Sequence, residues 1–481
     1  MAAAVVFGAI IAVSLIVAFL ASRGRDVLQI EEYLVGGRSF SGVLLFFLAV
    51  GEIYSIGTMV GLPGGIYAEG AGYGIWFLGY ILLAYPVGYF LGPLMWRVGK
   101  RYGAMTVPDV FKGHYGSRLL EVAAALSAIV FLVPWGQLQF TGLQVALRGL
   151  GFSISPSTAV VVAALIAFAY IVVSGVRAPA NVSILKDILL FAAIIIVGSA
   201  AAFSAGGVSD VFESSQELNP SSLGIKGQAL TFALTTIVFQ ALGFYVTPLT
   251  VPFLFTGRSE STVRRTQILM PLYMVMYPFL IIAAYYAISA APGLDQPNAA
   301  LFVTAVEVLP SWLLGLVAGA AALSGLLILA GLSLVVGAML TRNLAPNLPG
   351  AAQRRLVQIV VAIYLIVSAG LTILAPTLML ALISTAYYGF TQFLPAFLGV
   401  FLVRQFSALG ITAGLVTGDV AVLVLYGSGV STAGINIGLI ALFLNFAVTL
   451  VVSSVAKNRS SLAPVATSPR PAARKVEGSA S

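Results

Sequence analysis

The chain has 481 residues, 60% hydrophobic and 8% charged, with 24 Lys and Arg against 16 Asp and Glu. Soluble domains carry about a quarter charged residues, so an ordinary globular fold is excluded and a polytopic all-α membrane protein is expected. Cysteine is absent and His114 is the single histidine, which excludes disulfides, thiolate or multi-histidine metal sites and cysteine catalysis.

A crossing helix needs about 20 apolar residues. Apolar windows between charged or Pro/Gly/Ser breaks predict thirteen transmembrane helices, near 3–22, 41–67, 72–96, 119–147, 157–176, 187–206, 228–254, 267–291, 312–340, 356–374, 377–402, 407–428 and 433–454. No basic residue precedes the first run, and Arg23 and Arg25 follow it, so it reads as a retained span and not a cleaved signal peptide. The second contains LLFFLAVGEIYSIGTMVGLPGG (44–65), a greasy stretch interrupted by Gly51, Gly57, Gly61 and Pro63 and carrying Glu52. An ionised carboxylate at bilayer depth is costly unless paired or wet, and desolvation raises its pKa. Glu52 therefore either carries a proton across or caps the broken half-helix.

The loop 97–118 is basic and reads as a structural connector. Lys186 and Asp187 enter the sixth span, where a lysine either snorkels to the interface or serves the transport path. Segment 207–227, with Asp210, Glu213 and Glu217, is expected as an extracellular solvated face over the site. The seventh span, TFALTTIVFQALGFYVTPLTVPF, is interrupted at Gly243, Pro248 and Pro252. The tail 455–481, rich in Ser, Ala, Pro and basic residues, is expected as a disordered basic cytoplasmic end.

Thirteen crossings place the N-terminus outside and the C-terminus in the cytoplasm. On that count 22 of the 24 basic residues are cytoplasmic, with only Arg148 and Lys226 opposite, as the positive-inside rule requires. The basic balance then needs no nucleic-acid partner. The two broken spans lie five apart, so spans 2–6 and 7–11 read as inverted repeats, with the binding site where their broken helices open. The domains follow: 1–29 a peripheral first span and loop, 30–206 the first repeat, 207–227 the outer loop, 228–402 the second repeat, 403–454 peripheral spans and 455–481 the tail. No HExxH, GxSxG elbow or paired aspartates occur in the spans, so no enzyme is expected, and no filter-like repeat suggests a channel.

Four stretches, EEYLVGGRSFSG, VGLPGGIYAEG, MTVPDVFKGHYGS and SGVRAPANVSILKD, resemble the sodium:solute symporter family. GEIY, PWGQLQFTGLQ, SGVRAPA with KD, and LTRN are most similar to its bacterial monocarboxylate permeases. The resemblance implies a LeuT-like fold with a 5+5 inverted repeat, alternating access, and multi-pass insertion in a prokaryotic plasma (inner) membrane. It implies symport of a small organic solute with a coupling ion and no other cofactor, and leaves oligomeric state open. Relatives take sodium on two carbonyls of the second span, here Gly51 and Tyr54, and on a carbonyl and two hydroxyls of the ninth. Those ninth-span positions fall on Ser324, Leu327 and Ile328, and the last two offer no oxygen. Either the helix is shifted so that Ser324 itself is a ligand, or the usual sodium site is absent, which favours H+ over Na+. In relatives the aspartate matching Asp187 lies near the cytoplasmic exit of the cation path, and a Lys186 ammonium stands as a substitute for sodium.

The second, fourth, seventh and eleventh spans would line the substrate site. Candidates are Ser55, Trp135, Gln139, Gln240, Tyr245, Thr247, Tyr387 and Tyr388. With no buried arginine expected there, half-helix N-terminal N–H groups would hold an anion, which suits a monocarboxylate of the lactate, pyruvate or acetate class. The alternatives are a sodium-coupled symporter of another solute, such as an amino acid or pantothenate, or a membrane-embedded sensor on the same scaffold.

Overall fold

The computed structural model describes residues 1–22, 38, 40–151, 155–174, 177–456 and 465. The predicted tail, apart from Val465, and the loop bearing Arg23 and Arg25 lie outside the described residues. Helix α1 (Ala2–Ser22) precedes a broken segment made of α2 (Gly42–Ile53), a π-turn (Gly57–Gly61) and α3 (Leu62–Glu69). Long helices α4 (Ala71–Tyr102) and α6 (Arg118–Gly149) flank short α5 (Val107–Tyr115). Helices α7 (Pro156–Ser174), α8 (Arg177–Ala205) and α9 (Val208–Leu218) follow. The second broken segment comprises α10 (Gly227–Phe244) and α11 (Thr250–Phe255). Then come α12 (Glu260–Leu269), α13 (Tyr277–Ala290), α14 (Ala300–Val308), α15 (Ser311–Ala338) and α16 (Gly350–Leu374). The chain ends with α17 (Met379–Phe390), α18 (Leu394–Phe401), α19 (Ala408–Ser428) and α20 (Ile437–Val455).

Ten helical rods among the described residues are long and apolar enough to cross a membrane. Of the thirteen predicted spans, 41–67, 157–176 and 377–402 are not among these ten. The first is broken, and the third is divided by a 3-10 turn at Thr391–Phe393. Hydroxyl and amide side chains start several helices by accepting the first free amides, which would otherwise be costly in hydrocarbon. Examples are Ser41 for Leu44, Ser117 for Leu120 and Ser407 for Gly410.

Helix α15 is the centre of the bundle. It is apolar all round, and 89% of its most apolar window is buried, as expected of a helix with no solvent face. Gly315 lies against the backbone of Ala3, Gly319 against Ile10 and Gly337 against Val357. Small residues at those positions let neighbouring backbones approach closely.

The two broken segments are stitched together at one end. Phe40 N donates to Thr256 O at 3.0 Å, and Arg258 N donates to Phe40 O at 3.3 Å. Trp96 Nε1 adds a bond to Gly257 O at 2.7 Å. Helix α9 keeps Asp210, Glu213 and Glu217 exposed, while Val211 is buried and Phe212 packs on Tyr285 of α13 at 4.9 Å between centroids. Its apolar face thus docks on α13, and nothing from it lines the central cavity. On the connector, His114 is buried against Tyr102, whose hydroxyl lies 2.9 Å from Nδ1. Burial, helped by Arg101, lowers its pKa to about 4, so the ring stays neutral.

Candidate substrate and cation sites

Helix α2 stops at Ile53 because Tyr54 takes φ −95° and ψ 66°. The chain restarts at once: Thr58 N and Met59 N both donate to Ser55 O at 3.0 Å, and Gly57 N donates to Ser55 Oγ at 3.1 Å. Gly57 opens the π-turn, Gly61 closes it, and Pro63 sits in the first turn of α3, where its missing amide is tolerated. The second break runs from Tyr245 to Leu249 and contains Pro248. There Val251 N donates to Thr247 O at 3.2 Å and Thr250 N to Thr247 Oγ1 at 3.0 Å. Gly243 lies just before this break, in such close contact with Thr391 that a Cβ would overlap its hydroxyl. Each half-helix start is therefore served by one hydroxyl side chain, Ser55 in one break and Thr247 in the other. The first free amides are already taken, so a solute anion meets hydroxyls before it meets the backbone N–H groups that the sequence suggests.

Between the breaks lies a cavity of about 20 Å³, room for roughly one water, lined by residues of α4, α6, α10, α17 and both breaks. Ser55, Thr58, Thr247 and Thr250 form its polar side. Aromatic rings also line it: Tyr80 and Tyr387 meet at 5.6 Å, and Trp135 and Tyr387 at 5.8 Å. Trp135 Nε1 is buried without a hydrogen-bond partner, an uncompensated donor at the cavity wall. Among the described residues, no charged side chain lines it.

Four of the eight substrate candidates line this cavity: Ser55, Trp135, Thr247 and Tyr387. The other four do not. Tyr245 points away, bonding Gln267 and lying against Gly88. Tyr388 lines a separate outer pocket with Glu69 and Gln228. Gln139 is turned back onto Trp135 O at 3.2 Å, and Gln240 is fully buried with both amide atoms unpartnered. Thr58, Thr250, Tyr80, Phe77 and Phe244 escaped sequence reasoning. Thr58 and Thr250 carried a signal, each three residues beyond Ser55 or Thr247 on the restarting turn. The rings carried none, because helix rotation decides which aromatic faces inward.

The cation position is filled by protein. Lys186 does not snorkel; its side chain is 1% exposed. Its Nζ donates to Gly51 O and Tyr54 O, both at 3.3 Å, and pairs with the Asp187 carboxylate. Lys186 is the one ion-pair partner of that carboxylate among the described residues. Sodium, which the family resemblance implies, was weighed against these residues. Ser324 Oγ bonds Ala320 O of its own helix at 2.9 Å. Leu327 packs with Ala18 and Val182 in an apolar cluster, and Ile328 is buried. A hard cation needs oxygen ligands, and the two available carbonyls already hold an ammonium, so sodium does not fit. Glu52 ends α2 in the backbone; its side chain lies outside the described residues.

The sodium:solute symporter family model matches residues 33–418. The chain is 27% identical over 483 residues to the uncharacterized symporter YhjB of Bacillus subtilis, covering 95% of this chain and 98% of that one. It is 28% identical over 466 residues to a monocarboxylate transport permease protein of Rhizobium johnstonii, covering 92% and 94%. A solved Na+-coupled sialic acid symporter shares the fold, with a TM-score of 0.80 at 16% identity over 96% of this chain and 99% of that one.

Proposed function

We infer the function from the premise that the chain belongs to the sodium:solute symporter family: it takes up a small monocarboxylate of the lactate, pyruvate or acetate class by cation-coupled symport. In this reading thirteen segments cross a prokaryotic plasma membrane, with the N-terminus outside and the C-terminus in the cytoplasm. Residues 30–206 and 228–402 form the inverted repeats, joined by the outer loop 207–227. Residues 1–29 and 403–454 are peripheral, and 455–481 is the tail. The solute lies between the breaks and is exposed to one side at a time.

The observation that carries this reading is the small cavity between two interrupted helices, lined by both break hydroxyls and aromatic rings. Ser55 accepts an amide N–H and retains an O–H to give to a carboxylate, Thr247 accepts the Thr250 amide and donates to Thr250 Oγ1 at 2.8 Å, and the rings enclose a short apolar body. The resemblance to a monocarboxylate permease over nearly its whole length supports the same solute class. A proton is the favoured coupling ion and sodium the alternative, since Leu327 and Ile328 stand where relatives place hydroxyls. Glu52 is the sequence-based candidate for carrying that proton.

The test is uptake into proteoliposomes of radiolabelled lactate, pyruvate, acetate, alanine and pantothenate, with sodium and proton gradients imposed separately. Monocarboxylates should accumulate under an inward proton gradient, and Glu52→Gln should abolish that response. Accumulation of alanine or pantothenate alone would reject the monocarboxylate reading. Full proton-driven accumulation by Glu52→Gln would remove Glu52 from the coupling path.

A further inference from the structure

We propose that the ammonium of Lys186 stands permanently where a coupling sodium ion would bind, so that this chain adopts its solute-binding state without sodium. The inference rests on the symporter reading and deepens it by assigning the cation position to a side chain.

The break in α2 makes the position. A helix end leaves its last carbonyls without an i+4 amide, and Gly51 O and Tyr54 O belong to that final turn. Both accept from Lys186 Nζ at 3.3 Å. Asp187, fully buried on the same helix, supplies the third contact. An ammonium has three donors and no acceptor, and three oxygens surround this one. Glycine at 51 is part of the fit, since a Cβ there would stand 3.2 Å from Nζ.

Among the described residues, the surrounding elements offer no charge beyond this pair. Helix α15 contributes Leu327, which packs on Val182 one turn before Lys186, and holds no ionisable residue between Ser311 and Ala338. Helix α1 contributes none. The 3-10 turn before α13 brings Tyr273, whose ring stacks on Tyr54 at 5.0 Å, and α13 brings Tyr277 against the same ring at 6.0 Å. On α2 the remaining ionisable group is Glu52, whose side chain is not described. A sodium ion at the two carbonyls would face the ammonium at van der Waals range. Like charges that close in a partly buried site weaken binding by about a thousandfold. Asp187 is also already neutralised by its neighbour, so it holds no spare charge to attract an ion.

The proposal is tested with sodium itself as probe. Radioactive sodium binding is measured on the purified full chain in detergent against a choline control, alongside the sodium dependence of its melting temperature. Wild type should bind no sodium above the control, and sodium should not raise its melting temperature relative to choline. Lys186→Thr removes the ammonium and supplies a hydroxyl; it should acquire about one bound sodium per chain and a sodium-dependent rise in melting temperature. One sodium bound per wild-type chain overturns the proposal whether or not any solute is transported, and so does a Lys186→Thr protein that folds and still binds none. If that variant does not fold, the wild-type measurement alone decides. Absence of uptake for every solute, with sodium binding also absent, overturns the monocarboxylate reading and leaves the assignment of Lys186 standing.

Discussion

The hydroxyl of Ser55 accepts the Gly57 amide at 3.1 Å, and that of Thr247 accepts the Thr250 amide at 3.0 Å. An oxygen already engaged as acceptor is still a donor, and bonds to a charged partner are worth roughly 1.5–3 kcal/mol. Ser55→Ala should therefore weaken apparent affinity for the transported carboxylate about tenfold or more, read as a rise in the KM of proteoliposome uptake. Tyr245→Phe is the contrast. Its hydroxyl bonds Gln267 outside the cavity, so its removal should lower the melting temperature and leave KM unchanged. A rise in KM for Tyr245→Phe with none for Ser55→Ala would reverse the assignment. Both residues read alike in the sequence, as polar groups beside a break. Local chemistry shows that such groups are near the site; the direction each side chain takes depends on contacts with α4 and α12 that no local pattern encodes.

Among elements, the interruptions were legible and their partners were not. Gly and Pro disfavour continuous helix for local reasons, and the chain stops being helical at Tyr54 and at Tyr245, inside the stretches those residues mark. The motif MTVPDV, in the loop read as a structural connector, and LTRN form a clamp whose residues do not line the cavity. Asn343 donates to Asp109 at 2.7 Å and to Glu121 at 3.0 Å, and accepts from Thr106 at 2.9 Å. Asp109 also closes the capping box of α5 and pairs with Arg342 at 3.1 Å. The end of α15's rod is thereby fastened to α5 and α6. Asn343→Leu should leave the buried Glu121 carboxylate and the half-buried Asp109 each short of a donor, at about 2–3 kcal/mol, and lower the melting temperature by several degrees. A melting temperature unchanged by Asn343→Leu would mean that the clamp is not holding these elements.

At the scale of the molecule, both broken segments start and finish in one construction: the strand-like pairing of Phe40 with Thr256 and Arg258 joins the entry of the first to the exit of the second. One segment begins at this joint and the other ends there, an arrangement that supports the proposed inverted repeats five spans apart. In the proposed orientation the Phe40 end is cytoplasmic and α9 lies outside. The composition makes this directly measurable, because the chain has no cysteine of its own. Gln216→Cys lies on the exposed face of α9, and Ser261→Cys is exposed at the start of α12, close to the Phe40 pairing. A membrane-impermeant maleimide should label Gln216→Cys in intact cells and Ser261→Cys only after permeabilisation. The opposite pattern would invert the molecule, and labelling of both in intact cells would break the count of crossings between them. In the second case the two breaks could not belong to the proposed inverted repeats, and the cavity between them would lose the proposed alternating access.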